Sequence, residues 1–441
     1  MRKLIHFINT TNKECVSGHR DSTSGAIARY DCSEMRLLRV VTLFVCAGTA
    51  WAAFDVDDLL DRLDNAVTIS AFQNNLRTHV SGLLDLEFYH FDQPAPGLID
   101  SRADNLFNPR LTLFIDAQIG EQFYFFAQSR IDRGFDPSNH GADVRLDEYA
   151  LRFTPWEDGR FNVQIGKFAT VVGNWVPRHL SWENPFINAP LVYENITPIQ
   201  DKYAAPSLFY FIAAPYYEGK YAFNPVIWGP SYASGISAFG RLGQFDYAAE
   251  VKNSALSSRP ESWSLTEEGF NHPTFSGRVA FRPNEAWTFG FSGSEGAYFR
   301  SEAEHTLPIG RGLDDYRQFV LGQDASFAWH HLQIWAEVYE ARFEVPRVGD
   351  ADTLAYYVEA KYKFAPQFFA ALRWNQQFFA TIDNPAGAGL RWSNDLSRID
   401  IAGAYRFGAH TQLKLQYSFQ HETTGPGDDN HLFAAQFTVR F

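Results

Sequence analysis

The stretch LTLFIDAQIGEQFYFFAQSRID, residues 111–132, decides the fold. Leu111, Leu113, Ile115, Ala117 and Ile119 alternate with Thr112, Phe114, Asp116 and Gln118. Successive side chains of a strand point to opposite faces, so this run carries one apolar face and one mixed face. A break at Gly120 follows, and the return run sets Phe123, Phe125, Ala127, Ser129 and Ile131 against Tyr124, Phe126, Gln128, Arg130 and Asp132. A helical period of 3.6 would scatter Leu and Gln around the axis, whereas a period of two separates them. The stretch therefore reads as an antiparallel hairpin.

The pattern recurs from about residue 80 to the end of the chain. Tyr149, Leu151 and Phe153 oppose Glu148, Ala150 and Arg152; Leu332, Ile334, Ala336 and Val338 oppose Gln333, Trp335, Glu337 and Tyr339. Short breaks fall at Gly120, 155–160, near Gly243, 283–285, 330–331, 365–366 and 408–409. Long polar connections fall near 92–109, 133–144, 169–234, 253–273, 294–316, 343–353, 379–396 and 421–431. Short turns on one rim and long loops on the other are the habit of a membrane barrel, and a soluble sandwich has no reason to keep that order. An opening strand, seven hairpins and a closing strand predict an all-β, transmembrane antiparallel β-barrel of about 16 strands, with both ends on the short-turn side. The alternative is 18, if SLFYFIAA at 207–214 belongs to a further pair. Backbone groups left unpaired against lipid cost several kcal/mol each, so such a sheet has to close.

Composition fits a wall that is apolar outside and wet inside. The 441 residues include 40 Phe, 20 Tyr and 11 Trp, yet the mean hydropathy is slightly polar. Outside the leader described below, no apolar run approaches the roughly 18 residues of a spanning helix. A net charge of −13 opposes nucleic-acid binding, because phosphates would be repelled. No HExxH, EF-hand, phosphate loop or GxSxG elbow occurs, so no metal, cofactor or catalytic residue is expected and the chain is not read as an enzyme.

The front of the chain reads as an export leader. Residues 35–52, MRLLRVVTLFVCAGTAWA, hold Arg36 and Arg39, an apolar stretch and an A-x-A site ending at Ala52. Residues 1–34 show no export logic and read as a non-native upstream extension, with Met35 as the true start. All three cysteines, Cys15, Cys32 and Cys46, precede the cleavage site, which suits an oxidising periplasm or simply a wall with few sites for Cys. Residues 53–79 form a short periplasmic segment in which Val56, Leu59, Leu60 and Leu63 make one helical stripe; residues 80–441 form the barrel, with the long loop 169–234.

The closing run LFAAQFTVRF, 432–441, sets Phe433, Ala435, Phe437, Val439 and Phe441 on one face. A chain ending in Phe after such alternation resembles the C-terminal strand of Gram-negative outer-membrane proteins, and the leader and loop asymmetry extend the resemblance to the porins. The resemblance implies the cell outer membrane, contact with lipid and lipopolysaccharide, recognition of Phe441 by the barrel-assembly machinery, and a homotrimer as one possible state. It does not extend to TonB-dependent transporters, since fewer than 30 residues between Ala53 and the first clear strand leave no room for a plug.

A barrel of about 16 strands is wide enough for an aqueous channel. Its predicted wall carries both signs: Asp116, Glu148 and Glu337 against Arg130, Arg152, Arg241, Arg278 and Arg373. Each of these either contacts solute or pairs with a neighbouring strand. The segment TVVGNWVPRHLSWENPFINAPLVYENITPI, 170–199, is long, rich in Pro and Trp, and not disorder-like. It either enters the lumen as a constriction or packs across the rim, where it would contact another subunit. As a constriction, Arg178, His179 and Glu183 supply polar contacts, and Trp175, Trp182 and Tyr193 supply aromatic ones. The functional expectation is diffusion of small hydrophilic solutes; the alternatives are a partner-binding scaffold or a barrel hydrolase whose groups converge at a rim.

Overall fold

The computed structural model describes residues 57, 60–62, 68–71, 75–133, 143–216, 219–260, 269–384, 387–423 and 429–441. The upstream extension and the signal segment lie outside the described residues. Of the expected 53–79 segment, Asp57 and residues 60–62 are helical, and Thr68–Ala71 pairs antiparallel with the start of the first barrel strand.

The barrel strands are β1 (Leu76–Phe91), β2 (Asn105–Ile119), β3 (Phe123–Asp132), β4 (Asp143–Phe153), β5 (Asn162–Phe168) and β6 (Ala233–Leu242). There follow β7 (Phe245–Lys252), β8 (Thr274–Phe281), β9 (Trp287–Ala297), β10 (Arg317–Trp329) and β11 (Leu332–Val345). The ring ends with β12 (Gly349–Lys363), β13 (Phe368–Phe379), β14 (Leu396–Arg406), β15 (Thr411–Glu422) and β16 (Asp429–Arg440). Each pairs antiparallel with the next, and β16 returns to β1 with Leu432 opposite Phe91 and Arg440 opposite Leu83, so 16 strands close with no free edge. SLFYFIAA supplies no extra strand: Leu208–Ala213 is a short α-helix whose N-cap, Ser207, accepts the Tyr210 amide.

Alternation sets the two faces. Outward Val358, Leu372, Ile401 and Leu415 are 47–53% exposed, while inward Glu359, Arg373, Asp400 and Lys414 beside them are fully buried. An isolated apolar band of that kind is stable only against hydrocarbon. The seam is locked by Phe441, which exchanges backbone hydrogen bonds with Gly82 at 2.8 and 3.0 Å. Its ring lies over Gly82, where an added Cβ would fall 2.5 Å from the ring.

Two departures from simple alternation matter. The expected long loop at 343–353 is a tight turn at 346–348 between strands that continue to Val345 and from Gly349. Its charges had the look of a loop, but Arg342 and Asp352 face each other across β11 and β12 and pair at 2.7 Å, while Phe343 and Ala351 on the other face are buried. In β4, the pairing slips between Gln128 and Ser129, which leaves Asp147 as a bulge. The slip shifts the phase by one residue, so Arg145 and Asp147 are buried inside along with the Glu148 side of the strand.

The apolar core lies where the connections gather. Val172, Trp175, Leu191 and Tyr193 join Ile199, Phe211, Ile227, Tyr298, Phe343 and Trp392 in one buried cluster. Part of the long loop therefore packs with its neighbours over the long-loop end, and its other part is placed by the contacts described next.

Candidate functional site

The connection from 169 to 232 enters the barrel, runs toward the short-turn end and climbs back. Its descending arm follows β10–β12. Glu337 accepts the backbone amides of Asn174 and, at 2.9 Å, Trp175, and Arg178 pairs with Glu359 while lying 4.3 Å from the Trp335 ring. The tip reaches the far ends of β14 and β16, where Trp182 has the guanidinium groups of Arg406 and Arg440 at 4.7 and 4.4 Å from its ring. The ascending arm follows β13–β15. The Lys414 ammonium donates to the carbonyls of Ser181, Asn184 and Phe186 at 2.7, 3.0 and 3.2 Å, and the Ile187 amide donates to Gln416.

One alternating chain of charges ties the arms to the wall: Arg178, Glu359, Arg373, Asp400, Arg398 and Glu194. Arg373 lies 3.5 Å from Glu359 and 2.8 Å from Asp400; Arg398 meets Asp400 at 3.0 Å and reaches Glu194 on the loop. Arg373 also donates to the loop carbonyls of Asn188 and Ala189 at 3.2 and 3.1 Å. Desolvated ions are tolerable when each has an opposite neighbour, as every member of this chain does. Glycine is required at one point of entry: Gly173 has φ +81°, and a Cβ there would fall 2.1 Å from the Tyr339 hydroxyl.

The predicted loop residues divide sharply. Trp175 is buried, with its ring 4.6 Å from Tyr193 and 6.0 Å from His179, and Trp182 is buried under its two arginines. Both rings are consumed in seating the loop, so neither presents the open stacking face expected from sequence. Tyr193 is fully buried and donates to Glu337 at 2.7 Å. Glu183 is exposed, and Arg178 and His179 are half-buried. His179 hydrogen-bonds the Tyr232 hydroxyl at 2.7 Å, and burial inside the barrel pushes its imidazole down to about 4.

The predicted wall residues also divide. Glu337 and Arg373 hold the loop, Arg278 pairs with Asp324 at 2.6 Å, and Arg130 joins Asp132 and Asp147 at 3.1 and 3.3 Å. Arg241 stands half-exposed at the short-turn end and pairs with Asp246. Asp116, Glu148 and Arg152 face a cavity of about 420 Å³ between β2–β5 and loop residues Pro177, His179 and Leu180. Sequence alternation missed Arg145 and Asp147; the signal was present, since outward Leu146 and Tyr149 are an odd number of residues apart. Glu194 and Asn188 carried no such signal, because an irregular loop has no period. Among the described residues no group of three His, Cys, Asp or Glu is placed to hold a metal.

No protein-family model matches the sequence, and no curated protein matches it. Solved structures do match the fold. The outer-membrane channel DcaP of Acinetobacter baumannii aligns with 85% of this chain and all of its own, at 10% identity and a TM-score of 0.53. An anion-selective porin from Comamonas acidovorans aligns over 83% of this chain and 100% of its own, at 12% identity and 0.52. OmpT, an outer-membrane protein of Vibrio cholerae, aligns over 84% and 99%, at 10% identity and 0.51. The chain has the fold of an outer-membrane β-barrel.

Proposed function

We propose that this chain is a narrow diffusion porin of the outer membrane, passing small hydrophilic solutes along the β2–β5 side of its lumen. The observation that carries the reading is the inward loop. It is fixed by buried ion pairs to the β11–β14 wall, and it leaves the cavity of about 420 Å³ against the opposite wall. A polar, charged cavity surface holds water, and selectivity then comes from width and from weak contacts along the way. Entry of Phe441 into the closing seam supports its expected role as an assembly signal, since the residue is committed only when the ring shuts.

Liposome swelling with sugars of graded size tests the reading. Small sugars should enter with a low size cutoff, and replacing residues 174–195 by a short Gly-Ser link should raise both the cutoff and the single-channel conductance. An impermeable wild-type barrel transfers the assignment to a scaffold or enzymatic role.

A further inference from the structure

The charged groups of the lumen are not all treated alike. Toward the loop, Arg110 reaches Asp85 and Glu87, Arg278 reaches Asp324, and Arg373 and Arg398 share Asp400. Three groups facing the β2–β5 cavity differ: among the described residues, Arg152, Asp116 and Glu148 form no ion pair. Arg152 donates to the Gln164 amide oxygen at 3.3 and 3.0 Å, and its guanidinium lies 5.0 Å from the Phe239 ring and 5.5 Å from that of Tyr124. Asp116 accepts the Tyr124 hydroxyl, and Glu148 accepts the Ala169 amide at 2.7 Å. The other lumen charges named above meet a counter-charge or, like Glu337 and Lys414, three hydrogen bonds from the loop, whereas this guanidinium and these two carboxyl groups are open to one cavity.

The wall is hollowed beside them, on β4 and β5. Pairing places Asp116, Phe126, Ala150 and Gly166 on one rung and Tyr124, Arg152 and Gln164 on the next toward the turn. Ala150 contributes one methyl. Gly166 has φ +144°, and a Cβ there would fall 2.1 Å from the Tyr149 carbonyl oxygen, so no side chain can fill the space. Two strand spacings across and one same-face step along separate the Cα atoms of Asp116 and Arg152 by roughly 12 Å. The Arg152 side chain leans toward Gln164 on β5 and the Phe239 ring on β6, so part of that separation stays open on the Asp116 side. What remains suits two opposite charges a few ångströms apart on one small molecule, and the Phe114, Phe126 and Phe168 rings line the space beside them.

We infer that this cavity is a binding site for small zwitterions with an apolar body, of the class of aromatic amino acids. The solute carboxylate meets the free edge of Arg152, its ammonium meets Asp116, and its ring lies against the phenylalanines. Glu148, one same-face step toward the long-loop end, offers a second carboxyl contact on the approach to Asp116. The placement of this site on a transport route rests on the porin reading; binding itself does not.

The test is isothermal titration of the detergent-solubilised full chain with phenylalanine, phenylacetate and phenethylamine, which share a ring and differ in charge. Phenylalanine should bind at least tenfold more tightly than either single ion. Arg152→Gln should lower its affinity to that of phenethylamine, Asp116→Asn to that of phenylacetate, and Arg241→Gln should change nothing. Arg152→Lys should keep part of the preference, since the charge stays while the planar fork is lost. Equal or undetectable binding of the three wild-type ligands overturns the inference, and that comparison stands even if a variant fails to fold. Bilayer conductance is read separately. A barrel that conducts without ligand preference loses only the site, whereas one that shows the preference without conducting loses only the channel reading.

Discussion

Replacing Arg373 by Gln should release the inward loop while leaving the barrel closed. The guanidinium is fully buried and serves two masters. Toward the wall it meets Asp400 at 2.8 Å and Glu359 at 3.5 Å; toward the loop it meets Asn188 and Ala189, with the Phe186 ring 4.3 Å away. Removing one partner from a buried ionic group costs about 3–5 kcal/mol. That penalty falls on the docked state, because withdrawal of the loop lets lumen water solvate Glu359 and Asp400. At about 1.4 kcal/mol per decade the docking equilibrium shifts by roughly two to three and a half orders of magnitude. The strand ladders of β12–β14 contain no bond from the Arg373 side chain and remain intact. Single-channel recording in planar bilayers should show a higher conductance or frequent transitions to a higher level. Arg241→Gln is the control, since that arginine is 55% exposed and its pair with Asp246 is worth about 0–1 kcal/mol. A folded Arg373→Gln barrel with wild-type conductance and dwell times refutes the idea that this ion chain holds the constriction.

Gly82→Val should slow closure of the ring, because the new side chain enters the space held by the Phe441 ring; folding into liposomes, followed by the heat-sensitive shift in gel mobility, should lag wild type several-fold. Lowering the pH should loosen the loop through His179. Burial holds its imidazole at about 4 against about 6.5 when unfolded, so the stabilisation by the neutral form is fully present above pH 6.5 and is lost as pH falls toward 4. Fluorescence of Trp175, 6.0 Å from that ring, should change across this window, and His179→Gln should flatten the change.

How much of this was legible in the sequence depends on whether a residue obeys a period. Leu413, Leu415 and Tyr417 against Lys414 and Gln416 announce both faces of β15, and the closed ring follows from sixteen such runs. The 343–353 region misled because its alternating charges lie above the apolar band, where an outward strand residue is polar for the same reason that a loop residue is. The site was half legible. Wall charges such as Arg373 and Glu337 are fixed by parity, but what they meet is fixed by a loop whose path depends on contacts more than 200 residues away in sequence, such as Arg398 with Glu194. Trp175 and Trp182 were visible as unusual; only the fold shows that their faces are already occupied.

The lumen thus follows one physical rule on its two sides with opposite results. An inward charge in a space closed to water must find a counter-charge or several hydrogen bonds, and along β11–β14 the loop supplies them: Arg178 for Glu359, Glu194 for Arg398, and two amides with the Tyr193 hydroxyl for Glu337. Toward β2–β5, the segment from Pro177 to Leu180 supplies no counter-charge, and Arg152, Asp116 and Glu148 are left facing a cavity. Such groups keep their charge only by holding water or a solute. The same segment that closes most of the barrel therefore determines which wall stays open, and the proposed route is marked by the charges opposite the loop, which form no ion pair among the described residues, rather than by the loop itself.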